Sequence, residues 1–159
     1  MGQSTPRVPS AAAGGTVNSD RAAPGVPWDQ LVAMAPRVIQ QTLPMVPWNI
    51  HKLHSLNLPI QLVAVDDLAW LFGLPLWQDN GTRFQVSPAQ VRADPARFPD
   101  HMRRVMASDL RHSTHLVEHD GRLVGLDGYH RLLKATIQGR AQIEAMVLSQ
   151  QDLRAICTR

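Results

Sequence analysis

The sequence predicts a small α+β fold, a compact domain with a mixed sheet and flanking helices. Three consecutive segments predict it. "THLVEHDGRLVGLDG" (residues 114–128) reads as a β-hairpin, with strands at 114–118 and 122–126 around the two-residue turn pair Asp120–Gly121. A helix follows over 129–138, offering Leu132, Leu133, Ala135 and Ile137 to a core, and Gly139 stands where a left-handed residue ends a helix. "AQIEAMVL" then returns as a strand with Ile143, Ala145 and Val147 on one face.

The remaining elements fit around that unit. Residues 1–26 are Pro, Gly, Ala and Ser with almost no large apolar side chains, too little to offset chain entropy, and read as a disordered tail. Residues 27–81 read as a helical and irregular front segment. Within it, "PWDQLVAMAPRVIQQT" is helical in pattern but broken at Pro36, and Trp48, Leu53 and Leu56 mark one short helix. Residues 60–65 read as a strand, and Asp66 as the cap of a short helix over 67–72 ended by Gly73 and Pro75. The adjacent carboxylates Asp66 and Asp67 are read as capping groups, and Trp70, Phe72 and Trp77 as core rather than as a base-stacking platform. Asn80–Gly81 signals a tight turn before a short strand at "FQV", where the core segment 82–159 begins. Ser87–Pro88 opens a helix, and a second helix runs from Pro99 to Ala107. "SQQDLRAI" makes a short final helix.

Composition narrows the function classes. The chain has 159 residues with 44% hydrophobic side chains, enough for one domain with its own core. Its net charge is +3, split as four basic and two acidic residues in 1–60 and twelve and eleven in 61–159. No Lys/Arg-rich run of the kind that neutralises many phosphates is present, so the basic pI of 9.7 does not by itself point to nucleic acid. The single cysteine, Cys157, allows no disulfide framework within the chain. With no signal-peptide pattern and no long apolar run, the expected setting is cytoplasmic, away from a membrane. The Trp and Leu content of residues 27–80 is compatible with a homodimer surface.

The string Asp127-Gly128-Tyr129-His130-Arg131, at the strand–helix join, is the most concentrated chemistry in the chain. A helix N-terminus presents unpaired N–H groups and partial positive charge, glycine lets backbone and ligand approach closely, and His130 and Arg131 add donors. That suits a phosphate or another anion. Local chemistry equally accommodates a plain cap, with Asp127 as N-cap, Gly128 as turn and Arg131 paired to a carboxylate. His101 and Arg104, three apart on the preceding helix, share a face, and Asp109 follows its end. His112, His115 and His119 are read as exposed polar positions, with no metal site expected from them.

The run "LVEHDGRLVGLDGYHRLLKATIQGRAQIEAMVL" resembles the N-terminal domain of the ParB/sulfiredoxin superfamily, in which a hairpin, a glycine-led box opening a helix, and a closing strand recur. The resemblance covers residues 82–149. Partition proteins of that superfamily carry Gly-Glu-Arg-Arg and bind CTP; sulfiredoxins carry Gly-Cys-His-Arg; free-serine kinases carry Asp-Gly-His-His-Arg. The string here is nearest the last, with Tyr129 replacing its first histidine. Tyr129 also stands at the sulfiredoxin cysteine position, which excludes that mechanism.

The resemblance implies a nucleotide-dependent phosphotransferase or nucleotide hydrolase acting on a small molecule such as an amino acid, using ATP, ADP or CTP with Mg2+. On that reading Asp127, Gly128, Tyr129, His130 and Arg131 form the phosphate and nucleotide site, assisted by His101 and Arg104. Asp127 positions His130 or magnesium, Tyr129 stacks on a base or sugar, and Asp94, Asp109 or His130 serves the reaction. Two departures stand out. Ser113-Thr114 occupies the place of a Pro-Ile pair, and the serine kinases' catalytic glutamate has no evident match, leaving Asp94 in "VRADP" as the candidate. A second reading is a ParB-like nuclease or DNA-associated module. The near-neutral balance of residues 61–159 and the lack of a helix-turn-helix after the last strand argue against sequence-specific DNA binding. A third, a non-catalytic interaction protein that keeps the fold, rests on the two departures.

Overall fold

A computed structural model describes residues 27–158, so the expected tail at 1–26 lies outside the described residues. The elements run α1 (Trp28–Met34), α2 (Arg37–Thr42), α3 (Ile50–His54), β1 (Ile60–Ala64), β2 (Trp77–Asp79), β3 (Thr82–Val86), α4 (Pro88–Ala93) and α5 (Pro99–Ala107). They continue with β4 (Thr114–His119), β5 (Arg122–Asp127), α6 (Tyr129–Ile137), β6 (Gln142–Leu148) and α7 (Gln150–Ile156). This is the α+β class, with a mixed four-stranded sheet ordered β1-β6-β4-β5 and a separate β2–β3 hairpin.

The predicted hairpin, helix and closing strand form the centre of the fold. β4 and β5 pair antiparallel across a turn in which Asp120 and Gly121 have φ of 50° and 76°, the geometry that makes Asp-Gly a favoured hairpin pair. After α6 the chain inserts β6 beside β4 in parallel, with Thr114 opposite Ala145 and Leu116 opposite Val147. β1 then adds antiparallel to the other side of β6, Val63 opposite Ile143. Gly139, at φ 69°, ends the last turn after α6 as expected.

The segment 65–73 differs from expectation. It is not an α-helix capped by Asp66 but two short 3-10 turns, Val65–Asp67 and Ala69–Gly73, with no capping bond from a side chain. The reason lies in its spacing. Val65, Leu68, Leu71 and Leu74 recur every third residue, which matches three residues per turn and puts all four on one buried face. The i→i+3 bonds from Leu68 N–H to Val65 C=O, Leu71 to Leu68 and Leu74 to Leu71 follow the same register.

The front segment is not a separate body. The boundary drawn at 81/82 falls inside the β2–β3 hairpin, and β1 is an edge of the main sheet. One buried cluster runs from Leu31 and Ile39 through Trp77 and Leu116 to Ile156. Trp48 forms a β-bridge with Cys157, tying the front segment to the end of α7. Most of the apolar content that suggested a dimer surface is therefore covered by the chain itself; Met34, Val38, Ile60 and Leu62 stay exposed in this stretch. Among the described residues no helix is long and apolar enough to cross a membrane.

Leu116 is fully buried in β4, between β5 and β6. Leu116→Ala is expected to cost about 2–5 kcal/mol, the range for emptying a close-packed leucine site, read as a lowered urea midpoint with an unchanged denaturant slope.

Candidate functional site

The five-residue string splits across α6. Successive helical residues point about 100° apart, so neighbours in sequence can face opposite environments. Tyr129 and His130 turn into the core, at 1% and 2% exposure, while Arg131 turns outward into a cleft. Tyr129 Oη donates to the Gly125 carbonyl at 3.1 Å and accepts from the Gly125 N–H at the same distance, and burial pushes its phenol pKa upward. Its expected role, stacking on a base or sugar, is thus corrected: the ring is enclosed by protein. Gly125 has no room for a Cβ, which would lie 2.9 Å from the Tyr129 ring.

His130 is likewise a core residue. Its ring stacks on Trp77 with centroids 4.2 Å apart, and Trp77 also stacks on His101 at 4.9 Å. His101 Nε2 lies 2.6 Å from the Gln78 carbonyl and must donate to it. Its Nδ1 faces His130 Nε2 at 3.4 Å. His130 Nδ1 is buried with no hydrogen-bond partner among the described residues. Burial, followed by the charges of Arg104 and His101, pushes the His130 pKa from 6.5 down to about 3. The expected phosphate contacts from His130 and His101 are corrected on the same ground: both rings are buried packing groups behind the site. Arg104 is exposed while His101 is buried, so the pair does not form one binding face.

Gly128 serves packing rather than ligand approach. It has φ 90°, and a Cβ there would sit 2.9 Å from Thr114 Cγ2 and 3.3 Å from Arg131 Nη2. The Ser113-Thr114 departure has its place here: Thr114 lies against Gly128, and the Ser113 carbonyl accepts from Arg131 Nη1 at 3.0 Å.

Asp127 does not cap α6; Gly128 is the N-cap and no side chain bonds there. Nor does it orient His130. Its carboxylate, 1% exposed, accepts from the His115 backbone N–H at 3.0 Å and from His115 Nδ1 at 2.9 Å through Oδ1. His54 Nε2 reaches Oδ2 at 2.9 Å, and Arg131 Nη2 lies 3.6 Å from the same oxygen. Burial alone would raise this carboxyl; the bonds from His115 and His54 and the charge of Arg131 outweigh it and hold it well below the usual carboxylate range. His115 is thus buried and partnered, not the exposed polar position expected of it. His54 is the residue sequence reasoning missed, because nothing local ties α3 to a carboxylate at the far end of β5.

Two adjoining clefts of about 770 and 650 Å³ open beside this cluster and share the walls formed by Ala107–Asp109, Arg111, His112 and Arg131. The larger is also lined by Lys134, Arg140 and Glu144, the smaller by His54 and His115. Four permanent cations against the two carboxylates Asp109 and Glu144 leave the larger cleft positive. Lys134 Nζ is already held by the carbonyls of Met106 and Ser108, which fixes the end of α5 at the rim. The Asp109 carboxylate is gripped by Arg111 Nε and Nη2, and its pKa is driven well below normal by those bonds. A carboxylate so held is a weak base. Asp94 lines neither cleft; it is exposed and accepts from the Arg97 N–H at 3.3 Å.

Comparison with family models, with curated proteins and with solved structures finds no match for this chain.

A buried neutral histidine ties stability to pH. The unfolded imidazole takes a proton near its ordinary 6.5 and the folded one only near 3, so the unfolded state binds more protons in between. Stability is therefore full above about pH 6.5 and falls on acidification toward pH 3, by at most about 1.4 kcal/mol per pH unit from this group. Urea midpoints taken between about pH 7 and pH 4 should show the fall, and His130→Phe, which keeps a ring on Trp77, should flatten it. An unchanged slope in that variant would remove His130 as the cause.

Proposed function

We propose that this protein binds a phosphate-bearing small molecule, of the nucleotide class, in the larger cleft. The observation that carries the reading is the convergence of Arg111, Arg131, Lys134 and Arg140 on one recess of about 770 Å³. Roughly 300–1,000 Å³ is the span of small-molecule sites, and planar guanidinium forks match phosphate oxygens in pairs. The resemblance to ParB/sulfiredoxin-like domains supports a nucleoside di- or triphosphate, ATP, ADP or CTP, with Mg2+ carried on the phosphates. Of the resembling box, Arg131 is the side chain placed to touch such a ligand, and Asp127 and Ser113 hold that guanidinium in position.

Phosphoryl transfer to a small acceptor, an amino acid among them, is the reaction this reading extends to. Its base is not Asp94, which lies outside the cleft, and Asp109 is engaged by Arg111. Glu144, exposed on β6 at the cleft wall, is the remaining carboxylate there. The non-catalytic reading draws on that same engaged Asp109. A recess bounded by the 107–113 loop and the sheet suits a mononucleotide better than a duplex, which disfavours the nuclease reading.

Calorimetry with ATP, ADP and CTP, with and without magnesium, tests the proposal. At least one nucleotide is expected to bind, and Arg131→Ala to weaken it tenfold or more, while Arg97→Ala, whose guanidinium lies over Phe98, leaves it unchanged. Absence of binding by all three ends the proposal; binding without turnover on amino acids selects the non-catalytic form of it.

A further inference from the structure

We propose that His54, His115 and Asp127 form a mononuclear site for a divalent transition ion of zinc-like ligand preference, with open coordination positions facing the smaller cleft. Each residue offers one ligand atom, and all three atoms lie within 4.8 Å of one another. His54 Nε2 and His115 Nδ1 each stand 2.9 Å from a carboxylate oxygen. Two ligand atoms about 2.0–2.2 Å from one ion, at angles between octahedral and tetrahedral, are themselves about 2.9–3.5 Å apart. The two distances run to different oxygens, His54 to Oδ2 and His115 to Oδ1, so the three groups already converge and would draw together onto a single ion.

The surroundings also suit an ion. Asp127 and His115 are buried, with side chains 1% and 9% exposed, whereas the His54 side chain is 51% exposed. The site has a buried floor and an exposed ligand in His54, and the cleft lined by His54, His115 and Arg131 gives an ion a way in. Outer contacts already steady the carboxylate: the His115 N–H bonds Oδ1 at 3.0 Å, and Arg131 stands 3.6 Å from Oδ2. Three protein ligands on one side and solvent on the other is the pattern of metal sites that keep positions for an outside ligand. Two imidazole nitrogens select transition ions over magnesium or calcium, which want oxygen donors. On binding, the ion takes the place of the hydrogens that now bridge the histidines to Asp127, and each ring carries its N–H on the nitrogen turned away. Arg131 then borders both the ion and the positive cleft, so the outside ligand would be an anion, a carboxylate or phosphate oxygen.

The inference does not depend on nucleotide binding, and its test contains none. The full chain, stripped with chelator and dialysed, is titrated with Zn2+ and Co2+ by calorimetry, with metal content counted afterwards and the visible spectrum of the Co2+ form recorded. One equivalent is expected, with a Co2+ spectrum of nitrogen and oxygen ligation and a raised thermal midpoint. His54→Ala removes an exposed ligand and leaves the buried pair intact, so it should fold and lose at least tenfold in affinity; His115→Gln should lose binding as well. His119→Ala and Cys157→Ser, outside the cluster, should bind as the parent does. Failure to bind one equivalent, or binding untouched by His54→Ala, overturns the site.

Discussion

A carboxylate shut away from water has to be compensated, and Asp127 is where this protein meets that demand. Left unpaired at 1% exposure it would cost several kcal/mol or stay protonated. Its four partner groups come from three elements: α3 supplies His54, β4 supplies both an imidazole and a backbone N–H at His115, and α6 supplies Arg131. Elements far apart in the chain are thereby held to one point. The front segment is pinned to the hairpin, the hairpin to the helix that follows it, and the guanidinium that borders both clefts is aimed by the same group. Removing the carboxylate would strip all of these contacts at once, and no second ion pair of comparable burial spans these elements among the described residues.

Much of the fold was legible because local rules and tertiary packing agree. Asp120–Gly121 and Asn80–Gly81 turn where their φ preferences require, Pro36 separates two helices, and β4, β5, α6 and β6 fall within a residue or two of the expected spans. At 65–73 the sequence suggests a short helix over 67–72, whereas the period of three gives two 3-10 turns. The site was harder. "DGYHR" was legible as a cluster, yet its division into inward and outward residues depends on which face of α6 the sheet and α5 cover, and single-sequence spacing does not carry that. His54 lies in a five-residue helix, and its partner lies beyond six intervening elements; no local signal joins them.

That division also separates two kinds of chemistry within one helical turn. The inward pair, Tyr129 and His130, secures the helix: one through a doubly bonded hydroxyl over Gly125, the other through its stack on Trp77. Arg131, the next residue, is half-buried and faces solvent-filled space. A box with three successive polar side chains therefore spends two on architecture and one on binding. Substitutions at the three positions should be judged against different backgrounds, since losing Tyr129 or His130 perturbs the platform and losing Arg131 perturbs what stands on it.

The sheet order carries one more implication. β6, last in chain order among the described strands, is an inner strand, with β1 on one side and β4 on the other. Before it arrives, β1 has no neighbour in the sheet and β4–β5 is a two-stranded ribbon, which is marginal alone. Assembly must then wait for contacts between the two ends of the chain, a topology that slows folding. Glu144 and Met146, which line the two clefts, belong to that final strand, and the end of α7 meets Trp48 just before the helix that bears His54. The recesses are closed only once β6 is in place, and a nascent chain that has not yet produced β6 lacks those walls.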